Sequence, residues 1–331
     1  MFDIVFLGTS ASAPSIHRGL SSAAVLAGED RFLVDCGEGT QRQILRSGIG
    51  FKRLNKLLLT HQHLDHILGI GGLVSTYTRW EAIQDIHIWA STPTMERVRA
   101  LIYEVVLRNQ TSPIPINLNE IERPGLIYEH KDFTVSAFHV SHRGRGCYGF
   151  VFQERDHRPF LSEQADALGV PFGPERSQLV RGETITLANG SVIAPDQVLG
   201  ETIKGTKLVF TGDTAQIENL REVVKDADAL VIEATFVERD RDMAASYGHI
   251  TAAQAARLAA ETGVKGLLLT HISRRYGEKE MIAEARAIFP SAYVVRDLDH
   301  YRVGRTTPLM KVEKDKEPVA AVDDLDEGGL Y

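Results

Sequence analysis

The stretch Lys56-Leu57-Leu58-Leu59-Thr60-His61-Gln62-His63-Leu64-Asp65-His66 decides how the chain is read. Its first half is a short apolar run of the strand type, and it opens without a break on two imidazoles, a carboxylate and a third imidazole. Those are four potential metal ligands within six residues, at the mouth of one strand. A helix starting near Asp65 would aim Asp65 and His66 differently from His61 and His63, so one motif could serve two neighbouring ions. Imidazole and carboxylate donors suit zinc and can also hold manganese or iron.

Three further apolar runs end in a potential ligand: Thr134–Phe138 before His142, Lys207–Phe210 before Asp213, and Leu267–Thr270 before His271. A single histidine or aspartate after a strand is ordinarily a surface, capping or turn residue. Repeated beside the dense cluster, the pattern points to ligands on a rigid frame, as two ions roughly 3.5–4 Å apart require. Asp213, in Thr211-Gly212-Asp213-Thr214, is the natural bridging carboxylate. Asp35, after Phe32-Leu33-Val34, reads either as a cap for the next segment or as a group that orients the histidine loop, and the orienting role is favoured.

Working outward, strand-like runs at Ile4–Leu7, Ser22–Leu26, Ile86–Trp89, Tyr148–Phe152, Ala229–Ile232 and Ala292–Val295 alternate with helical patterns at Gly69–Trp80, Thr94–Val106, Glu218–Lys225, Thr251–Thr262 and Glu278–Phe289. This is an α/β or α+β chain with helices covering sheet faces. Residues 153–206 mix charges with Gly and Pro and end in a hairpin pattern around Asn189-Gly190, which predicts an inserted, projecting arm. Residues 311–331 carry many charges and few apolar anchors and are expected to stay mobile.

At 331 residues and 43% hydrophobic, the chain can bury one large core or two modest ones. A formal charge of -7 would repel a polyanion as a whole, so any nucleic-acid role must rest on local patches or metal ions. Two cysteines, Cys36 and Cys147, exclude a disulfide scaffold and favour a reducing cytoplasm. The amino terminus lacks a basic leader region, and no long apolar run suggests a membrane span.

With the ligands in the order His-x-His-x-Asp-His, His, Asp, His, the chain resembles the metallo-β-lactamase superfamily over residues 1–303. That resemblance implies an αββα sandwich with a dinuclear site at one edge. Within the superfamily the chain resembles the ribonuclease Z family, which processes the 3′ end of tRNA. The resemblance rests on Phe6-Leu7-Gly8-Thr9, Asp35-Cys36-Gly37-Glu38-Gly39-Thr40-Gln41, Leu269-Thr270-His271, Glu233-Ala234-Thr235-Phe236, His249-Ile250-Thr251 and the arm segment Leu179-Val180-Arg181-Gly182-Glu183. It implies that His61, His63 and His142 hold one zinc ion and Asp65, His66 and His271 the other, with Asp213 bridging. It also implies Asp65 as proton acceptor, His249 as proton donor to the leaving ribose oxygen, Glu233 orienting His249, and Thr235 in support. The reaction implied is attack of a metal-activated hydroxide on precursor tRNA by a homodimer, leaving a tRNA 3′-hydroxyl and a 5′-phosphate trailer. The arm would grip the tRNA.

The chain departs from the family pattern in three places. Pro14-Ser15-Ile16-His17-Arg18-Gly19 keeps Pro14 and Arg18 of a Pro-x-Lys-x-Arg-Asn loop but loses its lysine and asparagine, which puts the cut position and discrimination against CCA ends in question. Ile232 replaces the histidine of His-Glu-Ala-Thr. Residues 153–207 hold six Lys/Arg against eight Asp/Glu, so tRNA contact would fall to placed cations such as Arg155, Arg158, Arg176, Arg181 and Lys204. The acidic balance suits the alternative of a small-molecule phosphodiesterase or esterase. A non-catalytic metal-stabilised binding module is a third reading, disfavoured because every ligand and the proton donor are present.

Overall fold

The computed structural model describes residues 1–80, 83–304 and 309–313. Its strands are β1 (Phe2–Gly8), β2 (Ser22–Ala27), β3 (Asp30–Val34), β4 (Lys56–Leu58), β5 (Ile86–Ala90), β6 (Ile116–Glu120), β7 (Gly125–Glu129), β8 (Phe133–His139), β9 (Tyr148–Glu154), β10 (Ile185–Thr186), β11 (Val192–Ile193), β12 (Lys207–Phe210), β13 (Ala229–Glu233), β14 (Leu267–Thr270), β15 (Ala292–Val294), β16 (His300–Val303) and β17 (Met310–Lys311). One sheet runs β17-β16-β1-β2-β3-β4-β5-β6 and the other β15-β14-β13-β12-β9-β8-β7.

Strand periodicity explains how the two sheets pack. Phe2, Ile4 and Phe6 of β1, Phe32 and Val34 of β3, and Leu58 of β4 meet Phe150, Phe152, Phe210, Val231 and Leu268 of the other sheet in one core. Their alternates face outward beneath helices. Val5, Leu7, Leu33 and Leu57 pack on Ile44, Leu73, Val74 and Tyr77, while Leu230, Ile232, Leu267 and Leu269 pack on Leu220, Ala256 and Met281. Four layers result, αββα, and strands covered on both faces read as continuous apolar runs. Ile232 sits in this helix-side packing rather than in a polar contact.

Burying each such side chain contributes about 1.5–3 kcal/mol. Phe32 is central, its ring edge-on to Tyr128, Phe152 and Phe133 at centroid distances of 5.2, 5.3 and 6.1 Å. Phe32→Ala should lower unfolding stability by about 3–5 kcal/mol in urea denaturation. A loss within about 0.5 kcal/mol, ordinary for a surface residue, would contradict this packing.

Strands β3 to β6 are mutually parallel, as are β12 to β15. In such sheets the loops beyond the carboxyl ends form the binding crevice. Asp35, His61, Asp213, Glu233 and His271 all lie at or just past the carboxyl ends of β3, β4, β12, β13 and β14.

The inserted arm begins later than the sequence suggests, because Gln153 and Glu154 still belong to β9 and pair with β8. Beyond them the two chains of the neck run together through His157–Ile203 and Phe160–Leu199 bridges. The arm then builds its own small core from Ala165, Val170, Leu179, Ile185, Ile193 and Val198, and β10 pairs with β11 as the expected hairpin. At the other end, β17 pairs with β16, so Lys311 is ordered on the sheet. The rest of the expected mobile tail, from residue 314, lies outside the described residues.

Candidate metal centre

The helix after His63 starts at Leu64, with His63 in extended backbone as its cap residue, and this turn separates Asp65 and His66 from His61 and His63. Gly212, at φ +66, lets the end of β12 press on Thr60, where a Cβ would stand 2.9 Å from the threonine Cβ, and so brings Asp213 beside His61. The β8–β9 turn docks on the same strand end through Tyr148 N–H to Thr60 O (2.9 Å), carrying His142 in.

The result is convergent. Asp213 Oδ2 lies 3.4 Å from the Nε2 atoms of both His66 and His271, 3.7 Å from that of His61 and 3.8 Å from that of His142. His63 Nδ1 is 2.9 Å from His61 Nε2 and 3.3 Å from His142 Nε2. Asp65 Oδ2 is 3.4 Å from His271 Nε2 and 3.8 Å from His66 Nε2. Two nitrogens on one tetrahedral zinc, each at about 2.0–2.1 Å, stand about 3.3 Å apart, and the donor atoms here lie 2.9–3.8 Å from one another.

Hydrogen bonding also fits a cation. His66 Nδ1 donates to Asp35 Oδ2 (2.7 Å) and His142 Nδ1 to Gly248 O (2.7 Å). Thr60 Oγ1 gives its proton to Asp35 (2.8 Å) and Thr235 Oγ1 gives its own to Glu233 (2.5 Å), so each hydroxyl can accept only from the neighbouring His61 or His271 Nδ1. Four imidazoles therefore turn unprotonated Nε2 atoms on one point, the arrangement that metal-bound histidines show when an outer acceptor fixes their tautomer. Buried His66 Nε2 makes no hydrogen bond at all. Asp35, at φ +58, thus holds both the backbone of Thr60 and the His66 ring.

The electrostatics agree. Burial, followed by repulsion from the other rings, pushes His61 and His63 below the ordinary histidine range, and burial does the same to His142. Burial also opposes charge on His66, but Asp213 and Asp35 outweigh it and draw positive charge to that ring, which a cation at Nε2 would supply in place of a proton. Burial would raise Asp213 and Asp65; instead the surrounding histidines hold both well down as carboxylates.

Beside this cluster Glu233 is buried, accepting from Thr214 N–H (2.8 Å) and from His249 Nδ1 (2.9 Å). Burial opposes charging His249, yet Glu233 raises it to about 9. The His249 ring lies 5.1 Å from that of His142 and 5.3 Å from that of His271. Thr251 also caps the next helix with a Gln254 capping box, so the segment serves both fold and site.

The three arginines expected to contact substrate all have partners within the chain. Arg176 is buried inside the arm, donating to Val170 O and Pro171 O, paired with Asp166 and lying 3.9 Å over the Phe172 ring, so it is a structural residue of the arm. Arg18 donates to Thr9, Val295 O and Glu278. Arg181 is exposed but paired with Glu183. Two contacts had no sequence signal, the Gly248 carbonyl on His142 and the Ser12 N–H on Asp65 Oδ2 (3.0 Å), since any residue can supply a backbone atom.

Comparison with known proteins agrees with this architecture. A family model for the beta-lactamase superfamily domain matches residues 180–272, and one described as anti-Pycsar protein Apyc1 matches residues 2–166. The chain is 45% identical to a Ribonuclease Z of Bradyrhizobium diazoefficiens, over 91% of this chain and 99% of the relative. It is 38% identical to one from Archaeoglobus fulgidus, over 90% and 96%. The solved structure of human tRNase Z, short form, superposes with a TM-score of 0.65 at 23% identity, covering 91% of this chain and 99% of that one, and so shares the fold. The fold and the His/Asp cluster are compatible with a metal site, and the chain belongs to the ribonuclease Z family of the metallo-β-lactamase superfamily.

Proposed function

We propose that this chain is an endoribonuclease that removes the 3′ trailer from precursor tRNA, using two zinc ions per subunit. The observation that carries the reading is the His249–Glu233 pair beside the cluster, because a protonated imidazole there serves a leaving group and is of no use to a binding module. His61, His63, His142 and Asp213 would hold one ion, and Asp65, His66, His271 and Asp213 the other. Bound there, divalent ions would supply an activated water at neutral pH and neutralise charge on the phosphate oxygens. Asp65 accepts the proton that the attacking water loses. His249, held by Glu233, donates a proton to the ribose 3′ oxygen as it departs. The products are a tRNA 3′-hydroxyl and a trailer 5′-phosphate.

The arm, with a core of its own, is the proposed tRNA grip, and in a homodimer it would serve tRNA at the partner's site. Both cysteines are buried free thiols, which suits a reducing compartment such as the cytoplasm. Among the described residues no helix is long and apolar enough to cross a membrane.

The arm can be removed cleanly, because Phe160 and Leu199 are bridged across the neck. Deleting Phe160–Val198 should leave hydrolysis of bis(p-nitrophenyl) phosphate intact while lowering kcat/KM on precursor tRNA at least tenfold, equivalent to about 1.4 kcal/mol of binding. Equal loss on both substrates would refute the grip. Unchanged cleavage of tRNA would refute it too, and would place tRNA recognition outside the arm.

A further inference from the structure

The segment between β1 and β2, residues 9–21, folds over the centre and touches it at two points. Ser12, at φ +55, donates its N–H to Asp65 Oδ2. Thr9–Ala11 is laced to Ile272, the neighbour of His271: Ile272 N–H donates to Thr9 O (2.9 Å) and Ala11 N–H to Ile272 O (3.1 Å). Both contacts serve the Asp65/His271 half of the centre. Among the described residues, no hydrogen bond joins the segment to His61, His63 or His142.

A distant carboxylate holds this segment shut. Asp297 Oδ1 accepts from Thr9 Oγ1 (2.7 Å), and its Oδ2 accepts from Gly19 N–H (2.6 Å) and Gln43 Nε2 (2.8 Å). Thr9 and Gly19 lie near the two ends of the loop, and the N–H groups of Thr9 and Ser10 both donate to Gly19 O (2.9 and 2.8 Å). Arg18 completes the knot, donating to Thr9 Oγ1 (2.7 Å) and Val295 O (2.6 Å). Hydrogen bonds to an ionised acceptor are the strong ones, and removing that acceptor leaves partly buried donors without a partner.

We propose that Asp297 is a positioning residue: by clamping loop 9–19 it sets where Asp65 and His271 stand, and so governs one of the two ion sites and not the other. The inference rests on the two-ion reading above. Asp297→Asn turns an amide donor toward at least one of the present donors and loosens the loop without deleting a side chain.

The test is a zinc titration with a competing chelator on the apo full-length protein. Wild type should show two dissociation constants. Asp297→Asn should raise one of them at least about tenfold, as loss of an outer-shell partner does, and leave the other within about twofold. Thr9→Val, which removes one donor and keeps the carboxylate, should raise the same constant by less. On bis(p-nitrophenyl) phosphate, Asp297→Asn should lower kcat with KM little changed. If both constants stay at wild-type values in Asp297→Asn, or both rise together in Asp297→Asn and Thr9→Val, the proposal is overturned. A wild-type protein that binds only one ion would overturn the two-ion reading, and this proposal with it.

Discussion

Asp213→Ala is expected to abolish cleavage, lowering kcat by about 10⁴-fold or more, the scale seen when an essential group of a catalytic unit is removed. One oxygen of this carboxylate stands within 3.4–3.8 Å of four Nε2 atoms, two from each half of the cluster. Without it the imidazoles at each site lose their shared anion, and Asp65, which among these four rings reaches only His66 and His271, cannot replace it at His61 and His142. The change removes three heavy atoms from a polar pocket rather than from the inter-sheet core, so the fold should persist. Metal analysis should find both ions lost or weakened in a protein with an unchanged circular dichroism spectrum. An Asp213→Ala protein that keeps two tightly bound ions and more than a tenth of its activity would remove Asp213 from the bridging role.

The second large effect concerns His249. His249→Ala should cut turnover on precursor tRNA by about 10²–10⁴-fold, the usual worth of general acid catalysis. The ribose oxygen is a strongly basic leaving group and needs a proton as it departs. The p-nitrophenolate ion is weakly basic and does not, so bis(p-nitrophenyl) phosphate hydrolysis should fall far less. The same assignment fixes a pH dependence. With Glu233 raising it, His249 is protonated below about pH 9 and loses its proton above. Cations at the neighbouring cluster would bring that value down, so tRNA cleavage should decline along an alkaline limb at or below about pH 9, and the limb should vanish in the alanine variant. Parallel loss on both substrates, or an unchanged alkaline limb, would show that His249 positions something rather than donating a proton.

Much of this site was legible before any coordinates. His61, Asp213 and His271 follow strands that are buried on both faces, and a doubly covered strand advertises itself as an apolar run whose last residue marks the crevice. An edge strand can lack that mark. Ile116-Asn117-Leu118-Asn119-Glu120 alternates polar residues because β6 lies at the sheet margin, and it has no apolar run to mark it as a strand. Arginines are ambiguous for a related reason: a guanidinium folded onto carbonyls, as Arg176 is, looks the same in sequence as one waiting for phosphate. Asp297 and Ser12 were invisible because one acts from 278 residues beyond Gly19 and the other only through its backbone.

The central claim is tested most directly by incubating the purified full-length protein with a precursor tRNA carrying a defined 3′ trailer and determining the chemistry of both new ends. The account predicts a tRNA ending in a 3′-hydroxyl and a trailer beginning with a 5′-phosphate, with cleavage abolished by chelation and restored by zinc. An intact precursor, under conditions in which the same preparation hydrolyses bis(p-nitrophenyl) phosphate, would contradict it.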